Sequence, residues 1–284
     1  MYLVSGATGN VGAEVVRALA GAGEQVRALT RAAGSARLPV GAEPAVGDLN
    51  QPESLAEALR GVRGVFLLAG YADMPGLLRA VRDAGVEHVV LLSSGAVARG
   101  DVANAVVRYN VVSEAAVYDA GVRATILRPS GFHSNALRWL PQLNEGDVIR
   151  EAFAGVPVAY IDPFDIAAVA ALALTRAGDD QSTAVTVHRL TGPAAITSAE
   201  RIRVLARVLG RELTLVPLSD AEAREEMSRG MPPQYVEAFF SFFADGTYDD
   251  SRVGPTVQHL LGRPPRTFEQ WTEAHADDFR PTAG

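Results

Sequence analysis

The chain is predicted to be an α/β protein, a doubly wound parallel sheet with a smaller, interleaved α+β C-terminal domain. Two observations predict this. Over the first 130 residues short apolar runs alternate with amphipathic stretches, the rhythm of strands alternating with helices. The runs are also near-continuously apolar rather than alternating, which marks a parallel sheet covered on both faces.

The elements follow in order. YLVS (2–5) reads as a buried strand and is followed by a helix over 11–22. QVRAL (25–29) and EPAV (43–46) are the next two strands, and a helix over 53–59 carries Pro52 at its first turn. VFLLA (65–69) leads to a helix over 75–84, HVVLLSS (88–94) to a helix over 105–120, and ATILRP (124–129) follows. Residues 130–156 break the rhythm as an excursion over the sheet's ligand edge. PVAYIDPFDIAAVAALAL then returns to strand and helix, with Asp165 as the expected N-cap of a helix over 166–174. VTVHRLTG (185–192) is one more strand, and helices are expected over 198–209, 221–229 and 234–243, with a short strand LTLVP at 213–217. This pattern predicts a sheet domain over 1–130 plus about 157–190. The smaller domain takes about 131–156 plus 191–284.

Composition narrows the function. The chain has 284 residues, a formal charge of −7 and no cysteine, so thiolate catalysis, disulfides and Cys-ligated metals are excluded. The acidic balance speaks against a nucleic-acid surface, and no apolar run approaches the ~20 residues of a membrane span. The first apolar run starts at Tyr2 without a basic lead-in, so no leader is expected. These features predict a cytoplasmic monomer or homodimer acting on a small molecule. The five histidines show no HxxxH or HxH spacing, so no metal is expected. All 26 basic residues are arginine; no lysine general base, Schiff base or lysine-assisted tyrosine can operate here.

The turn SGATGNVG follows the first strand and opens the first helix. In that context three glycines have separate duties. Gly6 permits the tight turn, Gly9 lets a pyrophosphate approach the backbone, and Gly12 lets the helix pack on the sheet. The helix N-terminus supplies free N–H groups to the anion. An NAD site usually has an acid about twenty residues further on, at the end of the second strand, to hold the ribose diol. This chain has Leu29-Thr30-Arg31 there, with Arg37 beyond. A guanidinium in place of a carboxylate fits a 2′-phosphate, so the expected cofactor is NADPH (NADP). Asp48 and Leu49, after the third strand, are expected to flank the adenine.

GATGNVG, LTR, GDL, FLLA, LLSS, a helix bearing Glu114, TILRPSGFHSN, YIDPFDIAAVA, LTGP and GRPPRTFEQW occur in this order. Together they resemble the NmrA-like branch of the atypical short-chain dehydrogenases over nearly the whole chain. The resemblance implies a Rossmann fold and extends the cofactor set to Thr8, Asn10, Val11, Leu68, Ala69, Ser93, Pro129 and Phe132. It also implies either an NADPH-dependent reductase of the quinone or azo type, or a sensor that binds the dinucleotide without turnover.

Typical members of the wider superfamily pair a serine after the fifth strand with Tyr-x-x-x-Lys on the next helix, the lysine lowering the tyrosine pKa so that it protonates an alkoxide. Ser93 and Ser94 stand at that strand end, but the pair's positions fall on Val106 and Asn110. His133 is then the remaining acid–base candidate, with Tyr109 and Ser93 as further catalytic candidates; His88 and His188 are read as structural. Trp139, Phe153 and Tyr160 are candidates for an aromatic lid. Hydride transfer to a quinone-like or conjugated carbonyl leaves a delocalised anion that needs no strong acid. The missing pair therefore predicts that substrate class over simple ketones.

Overall fold

The computed structural model of the chain describes residues 1–31, 38–176 and 184–280. In chain order the strands are β1 (Tyr2–Val4), β2 (Val26–Thr30), β3 (Ala42–Val46), β4 (Gly64–Leu68), β5 (His88–Leu92), β6 (Ala124–Pro129), β7 (Val148–Glu151), β8 (Val185–Leu190) and β9 (Thr214–Pro217). The helices are α1 (Asn10–Gly21), α2 (Met74–Asp83), α3 (Ala105–Asp119), α4 (Leu140–Glu145), α5 (Pro163–Thr175), α6 (Ser198–Leu209), α7 (Asp220–Ser228), α8 (Pro233–Phe243), α9 (Thr256–Leu261) and α10 (Phe268–Ala274). Two units can be separated: Met1–Gly100, Val107–Pro129 and Pro163–Leu190 in the first, and Asp101–Val106, Ser130–Asp162 and Thr191–Gly284 in the second. The return to the sheet, expected near residue 157, thus comes at Pro163.

The first unit is a seven-stranded sheet in the order β3-β2-β1-β4-β5-β6-β8, every neighbouring pair parallel. Successive side chains of a strand point to opposite faces, and the apolar runs fill both. Leu3, Val65, Leu67, Val89, Leu91 and Ile126 share one buried cluster with Leu77 and Val81 of α2 and Val117 of α3. Their neighbours Val4, Phe66, Val90 and Leu127 are fully buried on the other face, where α1 and α5 lie side by side. Strand order reverses between β1 and β4, and ligands of such sheets bind at that switch point, beyond the carboxyl ends of the strands.

Two local expectations are corrected. The helix expected over 53–59 is a single 3₁₀ turn, Pro52–Leu55. Ser54 Oγ bonds the Gln51 and Asp48 carbonyls and the Asp48 N–H, and such side-chain bonds compete with a helix. Asp165 is not an N-cap. α5 begins at Pro163, whose fixed φ suits a first turn, and Asp165 lies inside that turn, fully buried.

The second unit is built around a cluster of Trp139, Ile149, Ile202, Leu205, Phe268, Trp271 and Phe279. Its two strands, β7 and β9, pair in parallel with Ile149 opposite Leu215. β7, α4, α9 and α10 go beyond the elements expected from the sequence. α10 had a legible start: Thr267 and Gln270 form a capping box, the T-x-x-Q signature of a helix N-terminus.

Candidate cofactor and active site

The glycine turn has the geometry of an anion cradle. Gly6 lies at φ +61°, and its carbonyl accepts from Gly9 N–H at 2.9 Å. A Cβ at Gly12 would stand 2.1 Å from that carbonyl oxygen, so only glycine lets α1 come this close. No side chain caps α1 and its first turn carries no acid, leaving its N-terminal N–H groups directed at an anion. Thr8, Gly9 and Asn10 are exposed at the rim, while Val11 is buried beneath. These residues fit the pyrophosphate of a dinucleotide. Gly12→Ala is expected to cost about 3 kcal/mol by overpacking and to abolish NADPH binding; a thermal melt and a fluorescence titration check both.

The other strand ends line the same edge. Arg31 follows β2 and is exposed, and no described carboxylate pairs with it; Arg37 lies outside the described residues. After β3, Asp48 Oδ1 accepts from Asn50 N–H at 2.9 Å, while Leu49 belongs to the core. Leu68 N–H bonds Ser5 Oγ at 3.1 Å, tying the end of β4 to the start of the glycine turn. Ala69 N–H bonds the Leu92 carbonyl at 3.2 Å. Tyr71 was missed by sequence reasoning. Burial raises its phenol pKa, against a hydrogen bond to Ser5, with Asp48 nearby.

Tyr109 of α3 packs over the end of β4: a methyl at Gly70 would lie 3.2 Å from its ring. Ser113 Oγ accepts from Gly70 N–H at 2.9 Å and donates to the Tyr109 carbonyl at 2.8 Å. One turn of helix before Ser113, Asn110 is buried. Ser93, at the end of β5, is 7% exposed and donates to Glu114 Oε1 at 2.5 Å. Arg128 of β6 grips the same carboxylate with both arms, Nε at 2.9 Å and Nη2 at 2.5 Å, and the Glu114 hydrogen bond raises the Arg128 pKa. Pro129 closes β6 and is buried. Glu114, marked in the sequence only as a motif residue, is joined by these bonds to the candidate Ser93.

In the second unit Phe132 is half-buried and bridges to Ile161. His133, the expected acid–base candidate, lies in the second unit. It is 1% exposed, packs edge-on against Phe268 at 5.3 Å, and burial, with Arg201 beside it, lowers its pKa to about 3. A neutral core imidazole gives up no proton at neutral pH. Trp139 and Tyr160 are likewise buried, flanking the Arg201 guanidinium at 5.0 and 4.0 Å, so they serve as core rather than lid. Phe153 packs on Phe240 and Phe243 of α8.

His133 and His88 carry a pH signature. His88 bonds Thr125 Oγ1 at 3.0 Å, and burial lowers its pKa to about 4. In the unfolded chain both imidazoles protonate near pH ~6.5, so between there and about 4 the unfolded state binds more protons. Stability is therefore complete above pH ~6.5 and falls as pH drops, by roughly 2–3 kcal/mol per unit when both histidines contribute. Denaturant titrations at pH 7.5 and 5 check this; equal midpoints would contradict it.

Among the described residues no three His, Asp or Glu side chains gather as metal ligands, and no helix is long and apolar enough to cross a membrane. A family model described as NAD(P)H-binding matches residues 6–177. A (4-alkanoyl-5-oxo-2,5-dihydrofuran-3-yl)methyl phosphate reductase of Streptomyces griseus is 41% identical, covering 99% of this chain and 100% of its own. An NAD(P)H azoreductase of Xenophilus azovorans is 33% identical over 98% of this chain and 99% of its own. The solved structure of an NADPH-dependent quinone oxidoreductase from Escherichia coli shares the fold, with a TM-score of 0.76 at 23% identity over 99% of this chain and 100% of that one. The chain belongs to the NAD(P)H-binding family and is an NAD(P)H-dependent reductase of the NmrA-like branch of atypical short-chain dehydrogenases.

Proposed function

We propose that this reductase takes hydride from NADPH to the electrophilic carbon of a conjugated carbonyl or quinone-like small molecule, without a Tyr–Lys pair. The observation that carries the reading is the absence of lysine from the whole sequence, with a buried Asn110 where the pair's cation would stand. Reducing an isolated ketone leaves a strongly basic alkoxide, which needs a tuned acid. Reducing a conjugated acceptor moves the π pair onto oxygen as a delocalised anion. A phenol-like anion, whose acid has a pKa of roughly 10, takes its last proton from water. Bound NADPH supplies the hydride; the protein's task is to hold donor and acceptor in line.

The Streptomyces griseus relative supports this class by its substrate name. In a 4-alkanoyl-5-oxo-2,5-dihydrofuran the ring double bond ends on a carbon flanked by two carbonyls. Hydride at the far carbon gives an anion spread over both. Arg31 favours NADPH over NADH, Gly6, Gly9 and Gly12 carry the pyrophosphate, and Tyr109 walls the site beside β4. We read the protein as a cytoplasmic monomer or homodimer with an aromatic, quinone-like or acyl-lactone substrate.

A panel of acceptors tests the proposal through loss of NADPH absorbance. Quinones and acyl butenolides are expected to exceed an isolated cyclic ketone by about a hundredfold in kcat/KM, some 2.7 kcal/mol of barrier. Equal rates would contradict it. Tight NADPH binding with no acceptor-dependent oxidation would favour a dinucleotide sensor instead.

A further inference from the structure

We infer that Glu114, clamped by Arg128, fixes the Ser93 hydroxyl as a hydrogen-bond acceptor, so that Ser93 receives the carboxamide N–H of the nicotinamide rather than donating to a substrate oxygen. The inference rests on the reading of this edge as an NADPH site. A serine hydroxyl has one proton to give and two lone pairs to receive. Ser93 gives its proton to Glu114 Oε1 at 2.5 Å. That carboxylate is held in place by two guanidinium bonds from Arg128 and is itself nearly fully buried. An ionised carboxylate held by a guanidinium offers no proton in return. What remains available at Ser93 is acceptor capacity alone.

Position supplies the partner. The pyrophosphate cradle follows β1, and Arg31 and Asp48 lie at the ends of β2 and β3, on one side of the switch point. A dinucleotide bound across that crevice lays its other half over β4 and β5, the side on which Ser93 stands. The donor group that the nicotinamide ring carries is its carboxamide. Glu114 and Arg128 are then positioning residues, acting through Ser93. The same arrangement removes Ser93 from the list of proton donors, in keeping with a substrate that needs none.

The experiment is equilibrium binding without acceptor, comparing NADP⁺ with its 3-acetylpyridine analogue. The analogue keeps a carbonyl but has a methyl group in place of the N–H donors. Ser93→Ala is expected to lower the protein's preference for NADP⁺ over the analogue by about fivefold to tenfold, the worth of one neutral hydrogen bond, and Ser93→Thr to restore it. Glu114→Ala, which frees the hydroxyl to turn its proton outward, is expected to reduce the same preference; a merely structural role would weaken both ligands alike. Equal weakening of both ligands by Ser93→Ala, or no change in either, would overturn the assignment. An unchanged preference in Glu114→Ala would overturn the positioning role, and where that variant fails to fold, the Ser93 pair decides. Binding is read apart from turnover, so a protein that reduced no acceptor would count against the proposed function while leaving this test intact.

Discussion

Glu151→Ala is expected to destabilise the second unit by about 3–5 kcal/mol, the cost of removing one partner from a buried ionic network. Glu151 ends β7 with 4% of its surface exposed. It accepts from Arg138, from Trp139 Nε1 at 2.8 Å and from Ser198 Oγ at 3.1 Å. Close by, Arg201 is fully buried. Its guanidinium lies over the rings of Tyr160, Phe268 and Trp139, and Nη2 donates to the His133 carbonyl at 2.9 Å. Its Nε and Nη1 have no hydrogen-bond partner among the described residues. Burial lowers its pKa to about 10, which Tyr160 and Glu151 oppose, so the group stays charged at neutral pH. Three aromatic faces support that cation, but the nearby carboxylate is its counter-charge, and without it a buried charge stands unbalanced. Glu151→Gln keeps an acceptor for Trp139 and Ser198, and its expected loss is smaller, about 1–3 kcal/mol. Tryptophan fluorescence reads this cleanly, because both tryptophans of the chain, Trp139 and Trp271, lie in the second unit. A loss below about 1 kcal/mol in Glu151→Ala would mean that the aromatic rings alone hold Arg201.

The second large effect concerns cofactor choice. Arg31→Ala is expected to weaken NADPH by about tenfold to a hundredfold, the range for a hydrogen-bonded charge pair of roughly 1.5–3 kcal/mol, and to leave NADH nearly unchanged. The residue is exposed at the end of β2, so the effect should shrink as salt is raised. Parallel titrations with the two nucleotides at low and moderate salt check it. Equal weakening of both would show that Arg31 serves the turn rather than the 2′-phosphate.

The sheet and cradle were legible for physical reasons. A strand buried on both faces must be apolar throughout, so VFLLA and HVVLL announce themselves, and a glycine required by a 2.1 Å approach leaves little choice of residue. The second unit was less legible because its elements are short. β7 has four residues and α4 six, too few for a period to declare itself. The surroundings of His133 were hidden for a different reason. Its environment is assembled from Arg201 and Arg266, which are 68 and 133 residues away, and no local pattern carries that information. The Ser93–Glu114–Arg128 chain joins three separate elements. Each residue was visible in a motif, but the direction of the hydrogen bonds was not.

Hydride is expected to go to the carbon of a conjugated acceptor rather than to a carbonyl carbon. Reduction of an α-acyl butenolide with NADPH deuterated at nicotinamide C4 tests it most directly, with the product read by mass spectrometry and NMR. The expected product carries one deuterium on the ring carbon β to both carbonyls, and a solvent-derived proton on the carbon between them. Deuterium on a carbinol carbon, formed by reduction of the acyl ketone itself, would contradict it.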